Sequence, residues 1–577
     1  MPNTIKRQTL SIKHFFWCFA VCCLLGCGGG KEQPRPADLV LLNATVYTLS
    51  ESSPWAEAVA VAGGRIVFVG SGRDASAWTG PATRTVDLEG RMVLPAFHDS
   101  HLHPVTSGIE LAECSLTDLA SQEEALEAIR RYAEENPGRP WIRGGGWEMT
   151  LFPGGNPSKE PLDEVVPDRP VCLMSSDGHS LWVNSRALGA ASIDRDTPDP
   201  PAGRIERDPS SGEPTGALHE TAMELMEEHL PEYTMDDYLG GLRRALDMAA
   251  RFGITSLQEA SADEEILEAY AELDRRGELS ARVVVSMTID PEEWQSQIPR
   301  FIEWQDKYRG RRLRADAVKI FVDGVVENYT AAVLEPYVDR PGDLGKPTMS
   351  PEALDRMVAA LDKEKFQIHV HAIGDRGVRM TLDAFEKARA ANGSRDSRHH
   401  IVHLELIHPD DVPRFKQLGV VANFQPLWAY ADEYITVLTE PLLGPERSQR
   451  LYQIGSLVRS GAGVAFGSDW SVSSMNPLEG IEVAVTRRDP ETGPGSAWLP
   501  EEIIDLPTAL AAYTIEGARL GFQEEETGSI EVGKAADLIV LDRNLFEIEP
   551  HEINETRVVL TLLEGEEVFR DPAFTEL

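Results

Sequence analysis

Two histidines, His101 and His103, stand two residues apart at the end of the segment PAFHDSHLH, which begins at Pro95. The apolar run 92–96 precedes them and predicts a strand that leads into the pair. Side chains two apart on a strand point the same way, so both imidazoles can bind one metal ion. Because an isolated His-x-His also arises by chance, the prediction of a metal site depends on further ligands.

Two further histidines, His371 and His403, each end a candidate strand of their own. Either one alone would more often be a packing histidine. At the ends of successive strands of one sheet, however, they are better interpreted as ligands that converge on one pocket. His369 and His400 are the alternatives if the register differs by a step.

Asp469 and Lys319 are the remaining candidates for residues that bind metal or take part in catalysis. Asp469 directly follows the apolar run 464–467, so that strand would deliver a carboxylate able to bind metal and accept a proton from water. The alternative for Asp469 is an ordinary turn or cap residue. Lys319 is a lone cation in the apolar strand 317–322, where a snorkelling lysine is the plainer interpretation.

Short apolar strands alternate with longer helical patterns through the middle of the chain, a signature of βα units and a parallel sheet. In a (β/α)8 barrel the carboxyl ends of the strands carry the active site, and several of these strands end in polar residues. We therefore predict an α/β fold of the TIM-barrel type over 91–524. The eight candidate strands are 92–96, 254–258, 283–287, 317–322, 367–371, 401–404, 420–424 and 464–467.

The first two candidate strands are separated by about 150 residues, which is too long for one crossover. An inserted subdomain is therefore expected at roughly 120–245. At the two ends of the chain, the alternating runs 37–49, 58–69, 537–541 and 558–563 predict short strands. We expect 37–90 and 525–577 to complete one small composite β-sandwich domain.

Charge narrows the classes of partner. The 577 residues include 94 acidic and 55 basic side chains, giving a net charge of −39 that is spread along the chain. This balance argues against nucleic acid and gives no reason for attraction to anionic lipid. A small-molecule substrate is expected, and a homo-oligomer is compatible with the sequence.

The first 27 residues differ from the rest, with three basic residues before an apolar run too short to span a bilayer. Leu24-Leu-Gly-Cys27 resembles a bacterial lipobox, which predicts a signal peptide over 1–27 and lipidation of Cys27. Residues 28–36 would then be a flexible tether. The expectation is export and a lipid anchor on the periplasmic or cell-surface side of a membrane, and the alternative is an ordinary signal peptide.

Of six cysteines, only Cys114 and Cys172 remain in the body of the chain after that segment. They could pair, although buried free thiols are the favoured interpretation. No CxxC is present, so a thiolate metal site of the zinc-finger kind is excluded.

Taken together, the motifs resemble the amidohydrolase superfamily, in particular the branch that includes N-substituted formamide deformylase. The resemblance covers essentially the whole chain after the leader. Besides the HxH segment and the Lys319 strand, it includes these segments: Gly144-Gly-Gly-Trp147, Asp177-Gly-His-Ser-Leu-Trp-Val-Asn184, Gly212-Glu-Pro-Thr-Gly216, Gly253-Ile-Thr255, His371-Ala-Ile-Gly-Asp375, Gly467-Ser-Asp469, Tyr513-Thr514 and Gly528-Ser-Ile-Glu-Val-Gly-Lys-Ala-Ala-Asp537.

This resemblance implies hydrolysis of a C–N bond in an amide, formamide, carbamate or cyclic amide by water activated at one or two divalent metals, with zinc expected. An ester or lactone is the alternative substrate on the same centre, and a non-catalytic binding lipoprotein is a more remote alternative. The catalytic residues implied are Asp469 as ligand and general base, a metal-bridging carbamylated Lys319, and His371. The implied metal ligands are His101, His103, Lys319, His371, His403 and Asp469.

The chain also departs from the family pattern. Ala96 and His98 replace the usual Gly and Ile, which would place an extra polar group beside the metal. The usual Glu-His-Ala is here Val402-His403-Leu404, so the orientation of His403 must come from elsewhere. His98 and Asp375 are the next candidates for the base.

Three residues of the insertion, Trp147, His179 and Trp182, are predicted to form a substrate wall or lid. Aromatic and imidazole side chains suit this role because they combine an apolar surface with a hydrogen-bonding group. The alternative for the two tryptophans is that they form the core of the insertion.

Overall fold

The computed structural model describes residues 35–117, 119–227, 229–492 and 495–574. An eight-stranded parallel sheet lies at its centre, with its strands adjacent in chain order. This sheet confirms the predicted TIM-type barrel. Its strands are β1 (Phe97–Leu102), β2 (Ile254–Ala262), β3 (Arg282–Thr288), β4 (Leu313–Phe321), β5 (Gln367–Ala372), β6 (His400–His403), β7 (Val421–Phe424) and β8 (Val464–Phe466).

Amphipathic helices follow the barrel strands, and their apolar faces form one core with the outward faces of the strands. Polar caps begin several of them. Asp263, for example, accepts a hydrogen bond from the backbone N–H of Ile266 at the start of the helix after β2. The principal helices are Pro104–Glu110, Met235–Arg251, Glu264–Arg276, Trp294–Lys307, Pro351–Lys363, Asp375–Asn392, Val412–Leu418, Ile454–Ser460, Pro477–Thr486, Leu506–Ala512 and Ile515–Leu520.

The prediction of the first barrel strand was wrong by several residues. The apolar run 92–96 contributes Met92–Pro95 to a different sheet, where it pairs antiparallel with Leu538–Leu541. The barrel strand is the polar segment Phe97–Leu102, which is buried at every position. The physical reason is that the barrel interior here is a polar site, so hydrophobicity alone did not mark the strand.

Strands from both ends of the chain form two sheets that share one hydrophobic core, as the predicted β-sandwich requires. The run 37–49 supplies a strand to each sheet, and the run 58–69 forms a hairpin within one of them. One sheet has the order Arg65–Gly70, Ala58–Ala62, Leu39–Leu42, Arg84–Asp87; the other has the order Glu566–Arg570, Val558–Leu563, Leu538–Leu541, Met92–Pro95, Thr45–Tyr47, Trp55–Ala56.

Between β1 and β2 the chain builds a six-stranded mixed sheet with its own apolar core. Cys114 and Cys172 lie in this sheet as buried free thiols. Its strands are Arg204–Arg207, Pro214–His219, Ser180–Val183, Val171–Ser175, Ile142–Trp147 and Cys114–Ser115, in spatial order, and its longer helices are Gln122–Glu135, Glu160–Val165 and Ser185–Ala190.

The predicted signal peptide, the lipidation of Cys27 and most of the tether lie outside the described residues. In the part of the chain that the structure describes, no helix is long and apolar enough to cross a membrane.

Candidate metal centre

Three side chains predicted as ligands meet at the carboxyl end of the barrel. Oδ1 of Asp469 lies 3.2 Å from Nε2 of His101 and 3.3 Å from Nε2 of His103. One ligand atom from each residue lies within 4.8 Å of the other two. Among the described residues, no other group of three His, Cys, Asp or Glu side chains meets this condition.

Backbone contacts between β1 and the segment after β8 hold these ligands in place. The carboxylate of Asp99 accepts hydrogen bonds from the backbone N–H of His101 (3.1 Å) and of Ser468 (3.0 Å). The N–H of Asp469 donates to the carbonyl of His101 at 2.7 Å. Gly467 permits this close approach, because a Cβ there would lie 2.6 Å from the backbone nitrogen of His101. The first and last barrel strands are thus joined at the ligands themselves.

His371 and His403 lie in the same cluster. Their ring centroids are 4.4 Å apart, and the ring of His403 is 4.9 Å from that of His101. Nδ1 of His403 lies 3.6 Å from Oδ2 of Asp469. The backbone of His403 and of Asp469 has positive φ, at 74° and 54°. Such conformations cost energy for residues other than glycine and are often found at functional sites.

Two residues that sequence reasoning missed orient His403. Oε1 of Gln425, just beyond β7, lies 2.9 Å from Nδ1 of His403 and can accept its proton. The indole of Trp428 stacks on the His403 ring with centroids 5.7 Å apart and an interplanar angle of 4°. Together they replace the carboxylate that the family usually places next to this histidine. The available signal was a polar residue at the carboxyl end of a predicted strand.

Lys319 points into the same polar interior from β4. Its side chain is 1% exposed, and Nζ lies 4.7 Å from the centroid of the Phe321 ring. Burial lowers the pKa of Lys319 to about 7, although Asp469 and Glu259 oppose this shift. The snorkelling alternative requires an ammonium group that reaches water, which this burial does not allow.

The protonation states suit metal binding. Burial lowers the pKa of His101 to about 3 and moves those of His371 and His403 well below the usual value. Burial would raise the pKa of Asp469, but the surrounding histidines, His101 first, hold it well below its usual value. His101, His371 and His403 therefore offer neutral imidazoles and Asp469 offers an ionised carboxylate, the forms in which these groups bind metal.

The residues fit a divalent ion by a second criterion as well. Three buried atoms in the cluster, Nε2 of His101, Nε2 of His371 and Oδ1 of Asp469, have no hydrogen-bond partner. Buried polar atoms without partners are costly. Since nitrogen and carboxylate oxygen are the ligands that zinc prefers, a metal ion would satisfy the atoms of His101 and Asp469, and a second ion would satisfy that of His371.

The alternative positions His369 and His400 form a layer next to the cluster. Nε2 of His369 lies 2.7 Å from Nδ1 of His101, and its Nδ1 lies 2.9 Å from the Ser286 hydroxyl. His369 can therefore accept the Nδ1 proton of His101, which leaves Nε2 of His101 facing Asp469. The ring of His400 contacts that of His369, with centroids 4.2 Å apart and planes tilted by 44°, and neither ring nitrogen of His400 has a hydrogen-bond partner.

The two alternative candidates for the general base, His98 and Asp375, lie away from the cluster. His98 has Arg282 and Lys534 as its charged neighbours, and a Cβ on Gly517 would contact its ring. The expectation that His98 lies beside the metal was therefore wrong, because it lies deeper in the barrel than His101. Asp375 accepts a hydrogen bond from the backbone N–H of Leu334 at 2.8 Å and has no contact with the cluster.

Of the three residues of the insertion that were predicted to form a substrate wall, His179 lies beside the metal centre, whereas Trp147 and Trp182 do not. The His179 ring lies 5.4 Å from that of His371, and its Nδ1 lies 2.9 Å from Oε2 of Glu220. Burial alone would lower the pKa of His179, but Glu220 raises it to about 9. Trp147 and Trp182 are fully buried in the core of the insertion, and their indole N–H groups donate to backbone carbonyls. This placement matches the core interpretation of the two tryptophans.

Comparison with known proteins agrees with this geometry. Residues 84–569 match the model of the Amidohydrolase family. The chain is 34% identical over 544 residues to the protein LONG AFTER FAR-RED 3 of Arabidopsis thaliana, covering 92% of both chains. It is 28% identical to the N-substituted formamide deformylase of Arthrobacter pascens, covering 92% of this chain and 97% of the relative. The crystal structure of an uncharacterized metal-dependent hydrolase from Pyrococcus horikoshii OT3 superposes with a TM-score of 0.70 at 27% identity, covering 89% of this chain and 99% of that one.

Proposed function

The chain belongs to the amidohydrolase family, and we propose that it hydrolyses a C–N bond of a small non-peptide molecule, such as an amide, formamide, carbamate or cyclic amide. The observation that carries the proposal is the convergence of His101, His103 and Asp469, with ligand atoms within 4.8 Å of one another, at the carboxyl end of the barrel. Similarity to a formamide deformylase supports this bond class.

Zinc is the metal we propose, because imidazole and carboxylate ligands suit it. His101, His103 and Asp469 would hold one ion, and His371 and His403 would extend the site to a second. When bound, such an ion polarises a carbonyl and lowers the pKa of water to about 7.

Asp469 is proposed to be the general base. Its carboxylate lies between the imidazoles, which keep it ionised and able to accept a proton. It would take the proton of the attacking water and deliver it to the leaving nitrogen. The backbone N–H of Asp469 donates to the carbonyl of His101, which holds the carboxylate in position for this role.

His179 is proposed to contact the substrate from the insertion. Its ring centroid lies 5.4 Å from that of His371, and its Nδ1 lies 2.9 Å from Oε2 of Glu220. A protonated imidazole in this position would donate a hydrogen bond to a substrate oxygen and stabilise negative charge that develops there.

Lys319 is proposed to be carbamylated. It is buried beside the metal ligands, and among the described residues no ion pair to its ammonium group is present. Addition of carbon dioxide to the neutral amine, with loss of one N–H proton to solvent, would form an N–C bond and leave a carbamate anion whose two oxygens could bind two cations. The family resemblance supports this role.

The test is a substrate screen with zinc-loaded protein. N-formyl, N-acyl, carbamate and cyclic amide compounds would be compared with esters and lactones of matched shape, with the Asp469→Asn variant as the control for contaminating activity. We expect turnover of at least one C–N class that the variant lacks. Hydrolysis confined to the esters and lactones would contradict the proposal.

A further inference from the structure

A cavity of about 240 Å³ lies at the amino-terminal end of the barrel, opposite the metal centre. Its lining includes Val284 of β3, Arg314 of β4 and Gln367 of β5, each near the start of its strand. On β4, Lys319 comes five residues after Arg314, which corresponds to roughly 16 Å at about 3.3 Å per residue. This cavity, which we call the basal cavity, is therefore separate from the proposed reaction site.

Three basic side chains line the basal cavity, those of Arg314, Lys365 and Arg395. In the part of the chain that the structure describes, the ammonium group of Lys365 forms no ion pair and no hydrogen bond. Arg395 donates from Nε to Asp362 at 2.8 Å and from Nη2 to the carbonyl of Phe366 at 2.7 Å, and among the described residues its Nη1 has no partner. Lys365 and Arg395 thus have N–H donors available to a ligand.

The counter-charge of Arg314 is weak. Its Nη2 donates to the carbonyl of Gly521, and its Nε lies 3.8 Å from Oδ2 of Asp316, too far for a hydrogen bond. Oδ1 of Asp316 accepts instead from Nη2 of Arg309 at 3.2 Å and from Nε2 of Gln305 at 3.1 Å. Burial lowers the pKa of Arg314, and Asp316 only partly opposes this shift. An anion in the cavity would therefore reduce the cost of burying this guanidinium.

The two acidic residues of the lining only partly offset this positive charge, because arginines outside the lining already bind them. Asp316 is bound by Arg309, and both oxygens of Asp396 accept from Arg398 at 2.9 Å and 3.1 Å. The chain as a whole has a net charge of −39. A cavity with satisfied carboxylates and available cationic donors is thus a local exception, and it favours an anionic ligand.

The donors suit a phosphate group. Two guanidinium groups and one ammonium group match the several oxygens and the double charge of a phosphate better than the single charge of a carboxylate. The Ser397 hydroxyl also lines the cavity and has no hydrogen-bond partner among the described residues, so it can donate as well. Since pockets for drug-sized molecules occupy roughly 300–1,000 Å³, the volume favours a small ligand.

Phe522 adds an apolar part to the wall of the basal cavity. Its side chain is 40% exposed, and the guanidinium carbon of Arg398 lies 4.2 Å from the centroid of its ring. An exposed aromatic ring beside basic groups offers a contact surface for the organic part of a phosphate ester. The lining therefore suits a phosphomonoester as well as inorganic phosphate.

We propose that the basal cavity binds a phosphate dianion, either inorganic phosphate or the phosphate group of a small monoester, through Arg314, Lys365 and Arg395. The site does not depend on the proposed hydrolase function, because its residues lie at the opposite end of the barrel from the metal ligands.

Isothermal titration of the zinc-loaded protein at constant ionic strength tests the site, at about pH 8, where a phosphomonoester is a dianion. The probes are inorganic phosphate and phenyl phosphate, with acetate as an anion of single charge. We expect saturable binding of at least one phosphate, about tenfold or more tighter than that of acetate. Lys365→Gln should weaken this binding by about tenfold, the effect of losing one hydrogen bond from a charged group. The matched control is Lys363→Gln, which removes an exposed lysine outside the lining and should leave binding unchanged.

Phosphate that binds zinc at the metal centre gives a different pattern. Binding lost in His103→Ala but unchanged in Lys365→Gln would assign phosphate to the metal centre and overturn the proposal. Equal losses in Lys363→Gln and Lys365→Gln would show only a general effect of charge and would overturn it too. Arg314→Gln is the second variant, with circular dichroism as the check that it is folded, and we expect it to weaken phosphate binding as Lys365→Gln does.

The two probes identify the source of the phosphate group. Tighter binding of phenyl phosphate than of inorganic phosphate, with the difference lost in Phe522→Ala, supports a phosphomonoester. Equal binding of the two supports inorganic phosphate. Binding of neither, or binding of acetate as tight as that of phosphate, would overturn the site whether or not the protein hydrolyses a C–N bond.

Discussion

Oε1 of Gln425 lies 2.9 Å from Nδ1 of His403, and the two residues come from the carboxyl ends of neighbouring barrel strands. The amide oxygen is closer to this nitrogen than Oδ2 of Asp469, which lies 3.6 Å away. This contact determines which ring nitrogen of His403 is free. With the Nδ1 proton donated to the amide oxygen, Nε2 becomes the nitrogen available to a metal. Gln425 is therefore a positioning residue for a proposed ligand.

Replacing Gln425 tests this relationship. Gln425→Leu removes the acceptor, and we expect metal affinity or activity to fall by about 10–100-fold, as is typical for such partners of metal ligands. Gln425→Glu keeps an acceptor oxygen and should restore most of the loss. Metal content by mass spectrometry and kcat/KM provide the measurements. Equal losses in both variants would show that Gln425 has only a packing role.

The candidate metal ligands could be predicted from the sequence, whereas the residues that orient them could not. His371, His403 and Asp469 could be predicted as candidate ligands because each comes at the end of an apolar run, and His101 and His103 because their spacing places two imidazoles on one face of a strand. The supporting contacts of Gln425, His369 and Asp99 depend on which strands are neighbours across the barrel, and on side-chain distances that periodicity does not contain. They became visible only in three dimensions.

The first barrel strand shows a different limit. Hydrophobicity placed it at 92–96, whereas the structure has it at Phe97–Leu102. Four consecutive polar residues, 98–101, stand between Phe97 and Leu102 in this strand, and all of them are buried, so the strand has no apolar alternation and resembles a loop in sequence. The neighbouring Met92–Pro95 is apolar because this strand of the terminal sheets is buried on both faces, with Met92 and Leu94 in the barrel core and Val93 in the core between the two terminal sheets.

The HxH pair can be tested with a histidine from the same segment as control. We expect His101→Ala and His103→Ala to lose most of the bound metal and the hydrolytic activity together, because both side chains contact Asp469. The unfolding temperature should change little for the partly exposed His103. His98→Ala should keep its metal, since that side chain lies away from the cluster. Activity that persists after chelation of the metal would refute the proposed metal mechanism.

The Asp469→Asn variant tests the proposed role of Asp469 as general base separately from its proposed role as metal ligand. The amide still offers an oxygen but cannot accept a proton, so metal should largely remain while kcat falls by about 10²–10⁴-fold. Asp375→Asn is the control, because that carboxylate is bonded to Leu334 and does not touch the cluster. Unchanged kcat in Asp469→Asn would assign the base to another residue.

The terminal sheets are fastened to the barrel by Asp537. Its fully buried carboxylate accepts from Nε of Arg282 at 2.8 Å and from the backbone N–H of Glu564 at 2.7 Å. Removing one partner of a buried ion pair costs about 3–5 kcal/mol of folding free energy. Glu564 lies 3.1 Å from Arg282 and would still partly neutralise it, so we expect Asp537→Asn to lower the free energy of unfolding by about 3 kcal/mol, the low end of that range. Denaturant unfolding measures this loss.

The pair formed by Arg557 and Asp542, with side chains 63% and 18% exposed, is open to solvent on the arginine side and provides the comparison for Asp537. Asp542→Asn should cost about 1 kcal/mol or less, because exposed ion pairs contribute little. Similar losses in the two variants would mean that the buried ion pair does not fasten the terminal sheets to the barrel.

Lys319 decides whether the site holds one metal or two. A buried amine among metal ligands can react with carbon dioxide when it is neutral, and its burial removes the water that would otherwise stabilise the ammonium. The carbamate would carry the negative charge that two neighbouring cations need in order to lie close together. We therefore expect native mass spectrometry of the active protein to show a carbon dioxide adduct that disappears in Lys319→Met.

The variants at this position have opposite expected effects. Lys319→Met keeps the length of the side chain without an amine, so bound metal should fall towards one ion per chain, with most of the activity lost. Lys319→Glu places a carboxylate where the carbamate would be, so it should recover part of the bound metal and part of kcat. In Lys319→Ala, an added short carboxylic acid can occupy the space that the side chain leaves, and the same partial recovery is expected. A structural Lys319 would respond differently, because its loss would alter stability without changing the metal count. Fully active protein with an unmodified Lys319 and one metal per chain would establish a mononuclear site.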